Sequence, residues 1–231
     1  MKCNEKENCK VEFGECERLH DMVEPLVEWF RENQRDLPWR KHVNAYRVWI
    51  SEIMLQQTRV EAVKSYYTRF LEELPDIKAL AEVPEDRLLK LWEGLGYYNR
   101  ARNLKAAAQQ VMEEYNGVFP DTFEEIKKLK GIGSYTAGAI SSFVYHQQKP
   151  AVDGNVMRVL SRLFEVDYDI GLPANRKIFQ AMMELLIDPE RPGDFNQALM
   201  DAVAEAIPGR PTQAYKQSAI QALGQDVLAE L

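Results

Sequence analysis

Two carboxyl groups in this 231-residue chain lie in sequence surroundings that suit opposite protonation states. The first, Glu52, falls in the apolar stretch 48–58 (VWISEIMLQQT), and a helix would place it on one face with Val48, Trp49 and Leu55. A carboxyl bordered by apolar groups loses solvation, which favours its protonated form. Glu52 is therefore a candidate general acid.

The second carboxyl, Asp153, directly precedes the apolar-periodic stretch 156–164 and is predicted to cap the N-terminus of a helix. Backbone N–H groups and the helix dipole stabilise a carboxylate at such a position. One carboxyl biased toward the neutral form and one toward the charged form is the division of labour that glycosidic-bond cleavage uses. Taken singly, a glutamate on an amphipathic helix is more often solvated, and an aspartate N-cap is more often structural.

A glycine-rich turn supplies a third feature. Residues 129–140 (LKGIGSYTAGAI) predict the end of a helix over 123–129, a tight turn, and a second helix that opens at Ser134. Gly131 and Gly133 permit positive φ and expose consecutive backbone N–H groups, which form an anion site together with the positive end of the second helix. Because such a grip on phosphate contacts no base, it predicts sequence-independent DNA binding.

Side chains around this turn favour the same interpretation. Ile132 is expected to pack between the two helices, and three lysines raise the local positive charge: Lys127, Lys128 and Lys130. An ordinary glycine C-cap between two helices is the alternative, and a Gly-x-Gly pair alone would favour it. The full pattern predicts DNA backbone contacts from five consecutive residues: Lys130, Gly131, Ile132, Gly133 and Ser134.

The elements that position these residues are predicted to be helices almost throughout. Apolar residues recur at intervals of three and four in seven stretches: 22–30, 46–55, 60–71, 88–92, 104–115, 156–164 and 178–187. Proline and glycine separate the stretches, and the sequence shows no strand pattern or long repeat. We therefore expect an all-α protein of about ten short helices held by tertiary packing, preceded by a mobile, charged tail over 1–15.

Composition is typical of globular proteins, with 45% hydrophobic and 28% charged residues. The net charge of −7 argues against a nucleic-acid partner, but residues 1–36 and 188–231 each carry −4, whereas 37–187 carry +1. The middle of the chain is therefore compatible with local basic patches. The three cysteines lie in the first sixteen residues and match no metal spacing, and no membrane or signal segment is found, so a cytoplasmic protein with reduced thiols is expected.

Together these motifs resemble the helix–hairpin–helix DNA glycosylase superfamily and, within it, the adenine DNA glycosylases. The resemblance covers about three quarters of the chain and consists of five signatures in the family's order: 37–40 (LPWR), 51–58 (SEIMLQQT), 92–98 (WEGLGYY), the hairpin and 152–156 (VDGNV). Several independent matches in order are far more specific than any one of them.

The resemblance implies a two-lobed, all-α helix–hairpin–helix DNA glycosylase fold with the active site in the interlobe cleft. One lobe, barrel-like with six helices, would span about 38–145, and the other would combine the N-terminal helix with 146–231. The implied activity is base excision repair: hydrolysis of the N-glycosidic bond of adenine mispaired with 8-oxoguanine or guanine in double-stranded DNA, after the base is flipped out. A monomer is expected.

Roles carried over by motif assign the chemistry to four residues. Glu52 resembles the acid that protonates the adenine ring, and Asp153 resembles the carboxylate that stabilises the oxocarbenium-like sugar or bonds to it transiently. Tyr135 and Asn155 resemble the pair that supports this aspartate and the sugar site. Lyase-competent relatives carry a Schiff-base lysine at the start of the second hairpin helix, where this chain has Ser134 and Tyr135. Because a phenol forms no imine, a monofunctional hydrolase is expected.

Two further sets of contacts are implied by the same resemblance. Five residues resemble the lining of the adenine pocket: Arg35, Leu37, Trp39, Arg40 and Gln197. Three residues resemble those that wedge into the duplex and face the opposite base: Leu55, Gln57 and Tyr97. For Trp39 and Leu55, a place in the hydrophobic core is an equally good interpretation of composition alone.

Two features depart from the family's pattern. The family usually follows the 190s with four cysteines that ligate an iron–sulfur cluster, whereas residues 199–213 contain none. We therefore expect no cofactor, with a helix over 211–231 packing where the cluster loop would lie. Only 44 residues, 188–231, follow the last shared helix. They are too few for the family's C-terminal domain that recognises 8-oxoguanine, so either the protein lacks that domain or this chain is a catalytic fragment.

Two other functions stay open on the sequence. Pocket shape distinguishes adenine glycosylases from other mismatch or damaged-pyrimidine glycosylases of the endonuclease III type, and the sequence indicates that shape poorly. A non-catalytic DNA-binding module with the same fold belongs to a different class. The presence of both Glu52 and Asp153 argues against such a module.

Overall fold

A computed structural model describes residues 22–163 and 168–206. The backbone forms two compact units. Residues 35–151 form the first, here called the central unit, and the described residues before and after them form the second, the flanking unit. All regular elements of the described residues are helical, which confirms the predicted all-α class.

Twelve α-helices follow one another in the described residues: α1 (Val23–Asn33), α2 (Pro38–Lys41), α3 (Ala45–Leu55), α4 (Val60–Glu73), α5 (Ile77–Glu82), α6 (Glu85–Trp92), α7 (Asn99–Glu114), α8 (Phe123–Ile126), α9 (Ser134–Tyr145), α10 (Gly154–Leu163), α11 (Arg176–Leu186) and α12 (Pro192–Ala206). A short 3₁₀ helix, Pro173–Asn175, leads into α11. Helices α2 to α9 belong to the central unit, and the others to the flanking unit.

Polar caps fix where two helices of the central unit begin. The Asn44 side chain accepts a hydrogen bond from the Arg47 N–H (2.9 Å) at the start of α3. The Asp76 side chain accepts one from the Ala79 N–H (2.8 Å) at the start of α5. Each cap supplies an acceptor for a backbone N–H group in the first turn, where no intrahelical carbonyl is within reach.

Aromatic side chains dominate the core of the central unit. Trp49 on α3 and Trp92 at the end of α6 are both fully buried. Trp49 packs against Phe119 with ring centroids 5.4 Å apart, and Trp92 packs edge-on against Phe70 at 6.0 Å. Rings of this size each bury a large apolar area, so this core holds α3 firmly against α4 and α9.

The flanking unit has its own core, in which α1 packs along α12 around Phe30 and Phe195. An ionic network reinforces this contact. Arg191 forms ion pairs with Asp188 and with Glu24 of α1. The buried Asp188 also accepts hydrogen bonds from the backbone N–H groups of Glu190 and Arg191, both at 2.8 Å.

The first helix of the hairpin is shorter than predicted, because α8 ends at Ile126 and not at residue 129. The chain continues in tighter turns, with the Lys128 N–H donating to the Glu125 carbonyl and the Leu129 N–H donating to the Ile126 carbonyl. This tightening carries the apolar side chain of Leu129 into the core.

Several predictions concern parts of the chain outside the described residues: the tail over 1–15, the cysteines and the helix over 211–231. Of the helices that are described, none is long and apolar enough to cross a membrane.

Candidate functional site

Glu52 lies in the last turn of α3 and is only 6% exposed. Its neighbours on the same helical face, Val48 and Trp49, are buried in the core of the central unit. The predicted carboxyl on an apolar face is therefore confirmed. The aromatic core on one side and the Asn44 cap at its start hold the helix α3 that carries this residue.

Asp153 caps α10 in the flanking unit, as predicted. Its Oδ1 accepts hydrogen bonds from the backbone N–H groups of Asn155 (2.9 Å) and Val156 (2.8 Å), and its Oδ2 accepts one from the Asn155 side-chain amide (3.2 Å). The Arg176 guanidinium donates to the Val152 carbonyl (3.2 Å), which ties the preceding residue to α11. Three donors around one carboxylate fix its orientation.

Asn155 is therefore a direct partner of Asp153, donating through both its backbone and its side chain. Tyr135, the other residue expected to support Asp153, is half-buried in the first turn of α9 and belongs to the central unit. Glu52 belongs to the central unit as well, so the four residues expected to do the chemistry divide evenly between the two units.

The hairpin turn is built against α7. Gly131 has φ +78°, and a Cβ at this position would lie 2.7 Å from the Asn103 Cβ. Both the left-handed backbone and the close approach require glycine here. The Lys130 N–H donates to the Gln110 side-chain oxygen (3.2 Å), which also fixes the turn to α7.

Not all backbone donors of the hairpin point outward. The Lys130 N–H is bonded to Gln110, and the Ile132 N–H donates to the Leu129 carbonyl (3.1 Å). This is a correction to the expectation that consecutive N–H groups are exposed, since the turn uses these two donors internally. The burial of Ile132 in the core confirms its predicted packing role, and Gly133 and Ser134 are exposed at the start of α9.

The residues expected to line an adenine pocket have different surroundings. Leu37 and Trp39 are buried in the core of the central unit, where Trp39 packs edge-on against Tyr67 at 5.5 Å. Arg40 donates to the Arg35 carbonyl (3.3 Å), which closes the segment onto itself. Gln197 lies on α12 of the flanking unit and donates to the carbonyl one turn earlier. The core interpretation of Trp39 is thus observed.

Two of the three expected wedge residues have an unusual backbone. Gln57 (φ +57°) and Tyr97 (φ +47°) are both in the left-handed region, which non-glycine residues rarely adopt. Gln57 is exposed, and Tyr97 is 66% exposed despite its large ring. Leu55, the third, is half-buried at the end of α3 and packs against the core.

Arg100 is a residue that the sequence analysis missed. Its Nη1 donates to the carbonyls of Ile53 (2.9 Å) and Met54 (3.1 Å), and its Nη2 donates to the Leu95 carbonyl (2.9 Å). Burial lowers the pKa of this guanidinium. The signal that could have found it is its register, because Arg100 lies one turn before Leu104 on the buried face of α7.

The geometry can be set beside known proteins. A family model described as an HhH-GPD superfamily base excision DNA repair protein matches residues 50–187. The adenine DNA glycosylase of Rattus norvegicus is 44% identical over 199 residues, which cover 80% of this chain and 38% of that protein. The chain thus spans about two fifths of the length of this relative.

Solved structures show the same fold. The structure of a thermostable thymine-DNA glycosylase matches with a TM-score of 0.77 and 29% identity, covering 84% of this chain and 90% of that one. A non-covalent endonuclease III–DNA complex matches with a TM-score of 0.69 and 21% identity, covering 85% and 90%. These matches confirm the predicted helix–hairpin–helix glycosylase fold.

Proposed function

Because the chain belongs to the HhH-GPD superfamily of base excision DNA repair proteins, we propose that it is a monofunctional adenine DNA glycosylase. The observation that carries this proposal is the contrast between two carboxyls. Glu52 is buried on an apolar helix face, whereas Asp153 accepts three hydrogen bonds at the start of α10. A buried acid can deliver a proton where water is excluded, and a carboxylate of fixed orientation can stabilise a developing positive charge.

The proposed reaction uses the two carboxyl groups one after the other. Glu52 gives its proton to a ring nitrogen of adenine, and the neutral base then leaves with the electron pair of the glycosidic bond. The negative charge of Asp153 stabilises the cationic sugar that forms, and Asn155 keeps the carboxylate oriented. Water adds to the sugar carbon and gives its extra proton to solvent, Glu52 regains a proton from solvent, and an abasic site is left.

Tyr135 supports the monofunctional assignment. A lyase step needs an amine that attacks the sugar carbon and forms an imine, and a phenol cannot do so. Tyr135 stands in the first turn of α9, next to the exposed Ser134. We therefore propose that the DNA strand stays intact after the base is released.

The proposed substrate is duplex DNA with adenine opposite 8-oxoguanine or guanine, bound by a monomer. The hairpin supports phosphate binding through its exposed turn and the start of α9, with lysines beside it. Gln57 and Tyr97 are suited to entering the duplex, since both are exposed residues with a left-handed backbone.

We also propose that the protein works without an iron–sulfur cluster. Such a cluster needs four thiolate ligands, and the chain has three cysteines, all in its first sixteen residues. Within residues 22–163 and 168–206, no group of histidine, cysteine, aspartate and glutamate side chains is arranged to hold a metal ion. The donor set therefore does not fit the cluster, and no step of the proposed reaction needs it.

A second candidate is a glycosylase for mismatched pyrimidines. It is favoured by the similarity in fold and sequence to the thymine-DNA glycosylase structure. The identity to that protein is 29%, against 44% for the adenine glycosylase of Rattus norvegicus, so adenine is the substrate we prefer.

Base release from matched duplexes tests this choice. The protein is mixed in excess with duplexes that contain adenine opposite 8-oxoguanine, adenine opposite guanine, or thymine opposite guanine, and the free base is identified by mass spectrometry. We expect adenine to be released from the first two duplexes and no thymine from the third. Faster release of thymine would support the second candidate and contradict the proposal.

A further inference from the structure

We infer that Arg100 is a positioning residue that holds Gln57 and Tyr97 together in the conformations needed to engage a mismatch. The engagement of DNA by these two side chains rests on the proposed function. The observation behind the inference is independent of it: one guanidinium bonds to the two backbone segments that carry the left-handed residues.

The first segment is the end of α3. Arg100 Nη1 donates to the carbonyls of Ile53, Met54 and Gln56, and Nη2 lies 3.4 Å from the Thr58 hydroxyl. The last carbonyls of a helix have no intrahelical donor and form the negative end of its dipole. The guanidinium supplies both the donors and the charge on either side of Gln57.

The second segment is the turn that leads to Tyr97. Arg100 Nη2 donates to the carbonyls of Leu95 (2.9 Å) and Gly96 (3.3 Å), directly before this residue. The guanidinium carbon also lies 5.4 Å from the Trp92 ring centroid and 5.7 Å from the Tyr97 ring centroid. Both distances are within the range of cation–π attraction.

These contacts oppose relaxation of two strained residues. A side chain in the left-handed region is unfavourable unless its surroundings hold it there. Gln57 lies between two partners of Arg100, Gln56 and Thr58, and Tyr97 directly follows a third, Gly96. The same side chain therefore sets both turns, and a change at Arg100 should release them together.

Lysine cannot replace arginine in this role. The guanidinium is a planar fork with five N–H donors, and its two terminal nitrogens here donate to the carbonyls of different segments. An ammonium is a compact charge with three donors at one point. Arg100→Lys therefore keeps the charge but cannot reach both sets of carbonyls.

The chain offers a matched control on the same helix. Arg102 is exposed, two residues further along α7, and donates to the Glu85 carboxylate at 2.8 Å. Arg102→Lys makes the same chemical change without touching either turn. Both variants keep the net charge, so salt-dependent binding to undamaged duplex is expected to stay unchanged in each.

Hydrogen–deuterium exchange of the DNA-free protein is the first measurement. In Arg100→Lys we expect exchange to rise by about tenfold in peptides covering 53–59 and 94–100, because several hydrogen bonds to a charged group are lost. Peptides from the hairpin, 127–136, and all peptides of Arg102→Lys should match the wild type. A uniform rise throughout the central unit, or no rise at all, would overturn the inference.

Binding to a duplex with an abasic-site analogue opposite 8-oxoguanine is the second measurement. We expect Arg100→Lys to lower the affinity for this duplex relative to undamaged duplex by about tenfold, whereas Arg102→Lys does not. In a Tyr97→Ala background the additional loss from Arg100→Lys should be smaller than in the wild type, because the contribution of Tyr97 is already gone and only the placement of Gln57 is left to lose. Fully additive losses would overturn the inference.

The two proposals fail separately. If the wild-type protein releases no adenine, the proposed function falls, while the exchange comparison still decides whether Arg100 sets the two turns. If the wild type is active and the two lysine variants are indistinguishable in exchange and binding, the positioning role falls and the proposed function stands.

Discussion

At the scale of single residues, the two carboxyls differ in burial and in the local backbone. Glu52 is buried on α3 beside apolar side chains, and Asp153 accepts hydrogen bonds from N–H groups at the start of α10. The difference arises from local sequence: an apolar period around one residue and a helix start directly after the other. Charge at Asp153 can therefore be removed with little change in fold.

Asp153→Asn tests the role of that charge. Asparagine is as good an N-cap as aspartate, and its oxygen can still accept from the backbone N–H groups of Asn155 and Val156. We expect the melting temperature to change little, while the single-turnover rate falls by about a hundredfold or more because the cationic sugar loses its counter-charge. A rate close to that of the wild type would remove Asp153 from the proposed reaction.

At the scale of elements, the fold depends on a few close approaches that only small residues allow. Gly138 on α9 lies so near the chain that a Cβ would be 2.1 Å from the Pro150 carbonyl oxygen. This contact fixes the segment 150–151 three residues before Asp153. The packing of α9 thus controls where the chain leaves the central unit.

Gly138→Ala is expected to lower the free energy of unfolding by about 2 kcal/mol, because backbone must move to admit the methyl group. Gly154→Ala is the matched control, since a Cβ at Gly154 would meet no atom within 4 Å. Urea denaturation of both variants measures the difference. Equal stability of the two variants would show that α9 does not depend on this approach.

The ionic network of the flanking unit predicts a pH dependence. Burial raises the pKa of Asp188, but hydrogen bonds from the Arg191 and Glu190 N–H groups and from the Arg191 guanidinium outweigh it, so the pKa lies below its usual value. A lowered carboxyl pKa contributes stability above the unfolded pKa of about 3.9, and this contribution is lost as the pH falls through the folded pKa.

Asp188→Asn should therefore destabilise the protein by about 2 kcal/mol at pH 7, and by progressively less below about pH 4. Urea denaturation of wild type and variant across this pH range measures the difference. A difference that does not depend on pH would mean that the Asp188 charge contributes nothing to stability.

The sequence was informative where the cause of structure is local. The spacing of apolar residues in α3 placed Glu52 on an apolar face, and the apolar pattern after Asp153 indicated that Asp153 caps a helix. Arg100 was missed because its acceptors are backbone carbonyls up to 47 residues away. Every residue has such a carbonyl, so residue types alone do not indicate these partners. The end of α8 at Ile126 was missed because tertiary packing of Leu129 overrides the helical pattern.

At the scale of the whole molecule, the net charge of −7 does not show where the proposed DNA-binding surface lies. The central unit holds the hairpin with its lysines, and the strongly acidic stretches lie at the two ends of the chain. We expect weak, salt-sensitive binding to undamaged duplex, since the proposed hairpin contacts involve only backbone phosphate.

The proposed absence of a cluster is also a property of the whole chain. Protein purified without air is expected to contain far less than stoichiometric iron, because three cysteines cannot supply four ligands. Overnight treatment with an iron chelator should leave the single-turnover rate unchanged. Stoichiometric iron that is lost together with activity would contradict the proposal.

Release of adenine by wild type and by Glu52→Gln directly tests whether the protein is an adenine glycosylase with Glu52 as its acid. Both proteins are mixed in excess with a duplex containing adenine opposite 8-oxoguanine, and Glu72→Gln, an exposed position on α4, is the control. We predict that wild type and Glu72→Gln release adenine at the same rate, whereas Glu52→Gln is slower by about a hundredfold or more because the acid is gone. Equal rates for wild type and Glu52→Gln would contradict the role of Glu52 as the acid, and no adenine release by the wild type would contradict the proposed function.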